Sequence, residues 1–560
     1  MLSSMSIKHT SHTATSKHRW PEGAVVYQVY PRSFNDSNGD GIGDIPGITE
    51  KLGYLKELGV NAIWLSPFYP SPMADFGYDV ADYCDVDPIF GTLKDMDRLI
   101  DKAHAKDIRI IVDMVPNHTS DEHEWFRQSR QSREDAYSDW YIWKDPKGHD
   151  KAGKPIPPNN WINVLTAESA WEWEPARQQF YLHSFHIRQP DLNWANPDVR
   201  EGIIDAMRFW LDRGVDGFRV DAVPFMAKDP LFRDEPINPH YVAARGDWKY
   251  TALNHIYSCG QPHLYAYLAE MAAVLKEKKY RHSARFMVTE GYPMTDNPIE
   301  EYLSYYEGMD PEVAAPFNFA GFSLPWKGRE WREFLHTFHT TVDTFSPLCV
   351  ASYAFGNHDQ YRLVSRLGES AARSAAVLLL TLPGMAFIYN GDELGMENVD
   401  IPPDMVQDPQ FAGGFGRDPV RTPMQWTSGK NAGFSTAHST WLPVADNYMS
   451  HNVESESTDP DSFLSLYRRL GKLRNQSNAI KHGHFEIVDV GNADVLGFAR
   501  TSNGERYTVV VNFSKKAVNL TLGYTEIGKF ELSSDPETKL QRMQDGKIHL
   551  LPNEAAIFQG

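Results

Sequence analysis

The sequence predicts an α/β protein, a (β/α)8 TIM barrel with an inserted irregular subdomain and a C-terminal all-β domain. Short apolar, β-prone runs alternate with longer helical patterns over several hundred residues. Four acids, Asp113, Asp221, Glu290 and Asp359, fall at the C-terminal ends of such runs, where barrels of this kind gather their reactive groups. Beyond about Ala479 the pattern changes to short alternating strands.

In chain order, residues 24–30 read as the first strand, 61–66 as the second and 109–115 as the third, each apolar enough to be buried on both faces. The pattern then breaks. Residues 117–187 are rich in Trp, Pro, Lys and Asp with little periodicity and read as an insertion overhanging a pocket. The barrel resumes near Gln189. Residues 217–220 lead to Asp221, residues 285–289 to Glu290 and residues 350–355 towards Asp359. Helical patterns cover 198–213, 264–278 and 370–382, and residues 386–389 form the closing strand, followed by a long loop containing 413–426. The C-terminal part offers a strand at 507–513 and turns at Ser502-Asn503-Gly504 and Gln544-Asp545-Gly546. The expected partition is a disordered tail (1–20), first barrel part (21–116), insertion (117–187), second barrel part (188–478) and C-terminal β-sandwich domain (479–560).

At 560 residues the chain holds one large core plus accessories. Fifteen tryptophans and 26 tyrosines supply many aromatic faces, most of them for the core and some suited to sugar rings. A net charge of −19 argues against nucleic acid or an anionic membrane as partner, since both need a basic face. Three widely spaced cysteines, Cys84, Cys259 and Cys349, make neither a disulfide framework nor a CxxC metal site, so a reducing cytoplasm is expected. The first twenty residues lack a signal-peptide core, and no run of 18 or more apolar residues occurs. His9, His12 and His18 lie in the polar tail and are assigned no function.

Five stretches together resemble the α-amylase superfamily of retaining glycoside hydrolases, within it the α-glucosidase and oligo-1,6-glucosidase group. They are Asp113 to His118, Gln189 to Asn193, Gly217 to Asp221, Glu290 after its strand, and Asn357-His358-Asp359. The resemblance covers nearly the whole chain. It implies Asp221 as nucleophile and Glu290 as acid and then base, since retaining cleavage needs two carboxyl groups about 5 Å apart across the scissile bond. It makes Asp359 the third carboxylate, hydrogen-bonded to the sugar's 2- and 3-hydroxyls, and His118 and His358 further partners of the ring. Arg219, two residues before Asp221 on the same strand face, can hold the nucleophile ionised.

The resemblance also makes Asp75 a ligand of the terminal glucose, Tyr78 its stacking platform and Arg421 the partner of Asp75 that closes the pocket. A closed end admits one glucosyl unit, so the expected activity is exo-acting on short oligosaccharides such as maltose. Pro224-Phe225 stand where endo-acting amylases carry Lys-His, which weakens an endo reading. In related enzymes a small residue at the position of Ala222 accompanies α-1,4 preference and valine α-1,6, so maltose should be cleaved faster than isomaltose. Asp36-Ser-Asn38-Gly-Asp40-Gly-Ile42-Gly-Asp44 places oxygen ligands at alternate positions, as calcium loops do. The resemblance makes it a structural Ca2+ or Mg2+ loop through Asp36, Asn38, Asp40, the Ile42 carbonyl and Asp44; no organic cofactor is expected. Two alternatives stay open. One is a transglucosylase or sugar isomerase of the sucrose isomerase or trehalose synthase type, using the same covalent intermediate. The other is a catalytically dead relative, against which the intact acids argue. Residues 226–258 carry no clear motif, and a monomer or homodimer is expected.

Overall fold

The computed structural model describes residues 18–245, 247–293, 295, 297–410, 416–522, 527–537, 543–544 and 547–560. His9, His12, Asp545, Gly546 and the start of the loop at 413–426 lie outside the described residues. Eight parallel strands form the central sheet: β1 (Val25–Val29), β2 (Ala62–Leu65), β3 (Arg109–Met114), β4 (Gly217–Val220), β5 (Phe286–Thr289), β6 (Ala314–Pro316), β7 (Ser352–Ala354) and β8 (Met385–Tyr389). They pair in chain order, and β8 returns to β1 with Val26 opposite Phe387. The remaining seam, between β6 and β7, is closed by Asn318, whose N–H donates to the Ser352 carbonyl at 2.7 Å and whose carbonyl accepts from Ala354 at 3.4 Å. The result is a closed barrel. Sequence had no handle on β6, because Ala-Ala-Pro is too short to show a pattern.

Each strand is short and buried along nearly its whole length, which is why it reads as an unbroken apolar run rather than an alternation. The helices between them have local reasons to start where they do. Pro197–Asp212 begins on an Asn196 side chain that accepts from Asp198 N–H, with Pro at the first turn. Leu93–His104 carries a capping box between Thr92 and Asp95.

Residues 117–187 contain two small antiparallel sheets, Trp143–Lys144 with Gln179–Leu182 and Trp171–Glu174, and Gly148–His149 with Pro155–Ile156. Their core of Ile142, Trp161, Trp171, Phe180 and Leu182 also takes in Phe232 and Tyr257, from the segment after β4. Among the described residues the C-terminal part holds two antiparallel sheets, one of five strands and one of three. Residues 18–20 are anchored, in contrast to the disordered tail expected over 1–20. Arg19 donates to the carbonyls of Pro311 (3.0 Å), Glu312 (2.8 Å) and Leu348 (2.6 Å), and Trp20 donates to Ala284 (2.6 Å). A cation meeting several free carbonyls at the barrel floor was not visible in a polar sequence. No disulfide joins Cys84, Cys259 and Cys349 among the described residues, and no helix among them is long and apolar enough to cross a membrane.

Candidate active site

The C-terminal ends of β2, β3, β4, β5 and β7 bring their side chains to one cavity of about 610 Å³. Arg219, on β4 and 1 % exposed, lies at its base. Its Nη1 donates to Asp221 Oδ1 and to Asp113 Oδ1, both at 2.7 Å, and its Nη2 contacts Glu290 Oε2. One guanidinium therefore serves three buried carboxylates. The sequence pattern suggested only the pair with Asp221; the other two arise because Asp113 lies opposite Arg219 and Val288, just before Glu290, beside it in the parallel register.

One positive charge cannot offset three negative ones in a dry cavity. Burial first, and then the charges of Glu290, Asp113 and Asp359, push Asp221 well above the ordinary carboxylate range against the pull of Arg219. Burial likewise raises Asp113 to about 6 despite Arg219. Carboxyl groups this close titrate as a group rather than one residue at a time. Ala222 N–H donates to Glu290 Oε2 at 3.1 Å, steadying Glu290 against the turn after Asp221.

Asp359 has a different electrostatic setting. Burial opposes its ionisation, but positive neighbours, His358 first and then Arg421 and Arg417, outweigh it and hold the carboxyl well below the ordinary range. Burial keeps His358 itself neutral, so the two arginines act at pH 7. Arg421 Nη2 donates to Asp359 Oδ1 at 2.8 Å and Arg417 Nη1 to the same oxygen at 3.4 Å. His358 stacks on Tyr78 with ring centroids 5.3 Å apart and takes Gln28 Nε2 on its Nδ1 at 2.8 Å. Tyr78 Oη donates to Asp113 Oδ2 at 3.1 Å.

The expected Arg421–Asp75 pair is not formed. Arg417 bonds Asp75, Nη2 to Oδ1 at 2.6 Å, and the same nitrogen reaches Asp408 Oδ1 at 2.7 Å. Arg421 follows the single turn Asp418–Val420, its carbonyl is held by Ser33 Oγ, and its Nε donates to the His358 carbonyl at 2.9 Å. Its side chain is thereby committed to Asp359. The two arginines stand four residues apart in one irregular loop, where no periodicity tells which faces Asp75.

Sequence reasoning also missed the network behind this end of the pocket. Gln189 Nε2 donates to Asp75 Oδ2 and meets His118 Nε2, both at 3.1 Å. Buried Lys228 bonds Asp191 Oδ2 at 2.6 Å and Asn117 Oδ1 at 2.8 Å. Gln189 and Asp191 belong to the motif that opens the second half of the barrel; Lys228 lies in the segment without a motif. Burial lowers His118 to about 4, so it meets a ligand as a neutral ring.

The loop from Asp36 to Asp44 lies apart, after β1. Asp36 Oδ1 accepts from Asn38 and Gly39 N–H (3.0 and 2.7 Å) and Oδ2 from Gly41 N–H (2.8 Å), while Asn38 and Asp40 accept from Asp40 and Ile42 N–H. Gly39 and Gly41 have φ of 83° and 94°, and a Cβ on Gly41 would lie 2.5 Å from the Ser439 carbonyl. Oxygen is the ligand type of a hard divalent cation, but these oxygens already accept backbone N–H groups, and Asp36, Asp40 and Asp44 do not bring their carboxylates into one cluster among the described residues. Asp44 is partly committed elsewhere, capping Ile45–Glu50 through Gly47 N–H.

Comparison with known proteins agrees with this geometry. The family model described as Alpha amylase, catalytic domain matches residues 28–483. The chain belongs to the alpha-amylase family. A second model, Maltogenic Amylase, C-terminal domain, matches residues 485–548. The alpha-amylase family chain is similar to the Alpha-glucosidase of Apis mellifera, 42% identical with 88% of this chain and 85% of the relative covered. It is also similar to the Oligo-1,6-glucosidase of Parageobacillus thermoglucosidasius, at 38% identity over 89% and 91%. Among solved structures it is similar to the alpha-glucosyl transfer enzyme XgtA, with TM-score 0.86, 35% identity and 97% and 100% of the two chains covered. The trehalulose synthase MutB from Pseudomonas mesoacidophila MX-45 matches at TM-score 0.81 and 34% identity over the same shares. The protein is a retaining-type glycoside hydrolase of this family, with its barrel and C-terminal β domain.

Proposed function

We propose that the protein is an exo-acting α-glucosidase that releases terminal α-linked glucose from short oligosaccharides such as maltose, with α-1,4 preferred. The observation that carries this reading is the ion pair between Arg417 and Asp75, which walls off the pocket beside Asp359. With that wall in place a single glucosyl unit fits before the scissile bond.

In the mechanism, Asp221, held by Arg219, attacks the anomeric carbon, and Glu290 gives a proton to the leaving oxygen. Tyr78 stacks under the ring, while neutral His118 and His358, with Asp75, hydrogen-bond its hydroxyls. Asp359, kept ionised by Arg421 and Arg417, binds the 2- and 3-hydroxyls and favours the distorted ring of the transition state. Water, deprotonated by Glu290, then attacks the glucosyl ester and restores both carboxyl groups. Arg421 acts through Asp359 rather than Asp75. A Ca2+ or Mg2+ ion at Asp36, Asn38, Asp40, the Ile42 carbonyl and Asp44 would need these side chains to give up the N–H groups they hold, and it would take no part in the chemistry.

Product analysis from maltose tests the reading: free glucose in the wild type, and a loss of about 10⁴-fold or more in kcat for Asp221→Asn. Sugars rearranged or lengthened without net glucose release would replace it with the transglucosylase or isomerase alternative.

A further inference from the structure

His18, Glu22 and His482 lie far apart in sequence and meet at the floor of the barrel. Glu22 sits in the turn Trp20–Gly23, and His482 ends the short helix Asn478–His482. The turn is pressed onto the helix: a Cβ on Gly23 would lie 2.2 Å from Lys481 Cγ. His18 Nδ1 stands 3.1 Å from Glu22 Oε2, and the His18 and His482 rings stack with centroids 3.9 Å apart. One ligand atom from each of the three residues lies within 4.8 Å of the other two, and no other such group of His, Cys, Asp or Glu occurs among the described residues.

An ion pair and a ring stack would be enough to seat a chain end, but they leave one atom unaccounted for. His482 Nδ1 is buried and has no hydrogen-bond partner, a costly state for a polar atom. Burial first, and then the nearby charges of His18 and Lys481, lower His482 to about 4, so at neutral pH its ring is the uncharged form that ligates metals. Glu22 is aimed by a partner behind it. Arg19 Nε donates to Glu22 Oε1 at 2.9 Å, which leaves Oε2 on the histidine side, and Arg19 is itself fixed by the carbonyls of Pro311, Glu312 and Leu348. Such outer partners orient metal ligands.

We propose that His18, Glu22 and His482 form a binding site for a zinc-class divalent ion, which ties the N-terminal turn to the point where the C-terminal domain leaves the barrel. Two imidazoles and a carboxylate suit Zn2+ or Cu2+, with water completing the coordination, whereas Ca2+ and Mg2+ take oxygen ligands. As they stand the two rings are 5° from parallel, so their lone pairs run side by side. Binding therefore tips the His18 ring out of the stack, and its side chain, 54% exposed, is free to turn. Arg19, Lys481 and Arg474 oppose a cation here, but Arg19 is spent on Glu22 and Arg474 on the carbonyls of Gly23, Leu380 and Leu382. The site lies beside the segments that lead into β1, β5 and β6, at the opposite end of the strands from the catalytic acids, so its occupation should not change kcat.

The test strips the full chain with EDTA, removes the chelator and follows Zn2+ binding by calorimetry. One Zn2+ per chain is expected, with kcat on maltose unchanged when that step is complete. His18→Ala and His482→Ala should each weaken the step by about 100-fold, the upper end of what losing even an outer partner of a metal ligand costs. His18 is exposed, so its variant tests the site without disturbing the helix that carries His482. The variant with both His9→Ala and His12→Ala should bind as the wild type does. With Cu2+ in place of Zn2+, electron paramagnetic resonance should record two imidazole nitrogens in the wild type and one in each single variant. Ca2+ and Mg2+ should not compete. Absence of the step, its survival in either single variant, its loss in the His9/His12 variant, or a fall of kcat in step with binding would overturn the proposal; the last would place the ion among the catalytic acids.

Discussion

Ala222 sits at φ 44° and ψ 38°, left-handed backbone directly after Asp221. An L-residue there costs about 1–2 kcal/mol relative to ordinary backbone, and a β-branched side chain is worse placed still. Ala222→Val should therefore lower the melting temperature, and it should raise the kcat/KM of isomaltose relative to maltose by about tenfold if this position sets linkage preference. A stable variant with an unchanged ratio would remove that role from Ala222. The two arginines of the loop before Trp426 separate by experiment as well. Arg417→Ala leaves Asp75 and Asp408 buried without their shared cation, so it should cost about 3 kcal/mol in urea denaturation and raise KM. Arg421→Ala should act mainly on kcat, by freeing Asp359 from its partner. If Arg421→Ala raised KM and Arg417→Ala did not, the closed end of the pocket would be wrongly assigned.

At the scale of elements, the Asp36–Asp44 loop is tied to the segment near Ser435 by the Ser435–Asp36 hydrogen bond and by Trp441 N–H on the Gly41 carbonyl at 3.1 Å. If the loop holds a divalent ion, EDTA should lower the melting temperature while kcat at 25 °C is kept; an unchanged melt would dismiss the ion. The short helix Val453–Glu456 ends in a buried acid whose Oε2 accepts from Leu464 N–H at 3.0 Å. Burial, and next the nearby Glu393, raise Glu456 to about 8. Its folded pKa lies above the unfolded one, so its contribution is fully present below about pH 4.5 and is lost as pH rises towards 8. Glu456→Gln should thus melt progressively higher than the wild type as pH is raised from 5 to 8. A constant difference across that range would contradict a buried neutral acid.

Over the whole molecule, Phe485, Phe498, Val509, Val511 and Phe513 of the C-terminal sheet belong to the same core cluster as the barrel. A fully buried arginine reinforces the join: Arg500, on the C-terminal strand Val495–Ser502, donates to the Thr381 carbonyl of the barrel at 2.8 Å. Calorimetry should record one unfolding transition, and truncation after Gly483 should leave an aggregating barrel; two separate transitions would mean that the shared core is not cooperative. The strands of the barrel and the ends where Asp221, Glu290 and Asp359 sit were legible because buried parallel strands are continuous apolar runs, and an acid closing such a run stands out. Strand β6 and the anchoring of Arg19 were not, since three residues or one cation carry no period. By itself the sequence determined the order of elements, the placing of the acids at strand ends and the family, all of which depend on local pattern and spacing. Only the tertiary structure decided that Arg219 serves three carboxylates and that Arg417 rather than Arg421 meets Asp75. Those facts depend on which side chains from distant segments point into a common space, and no local pattern in one chain encodes that.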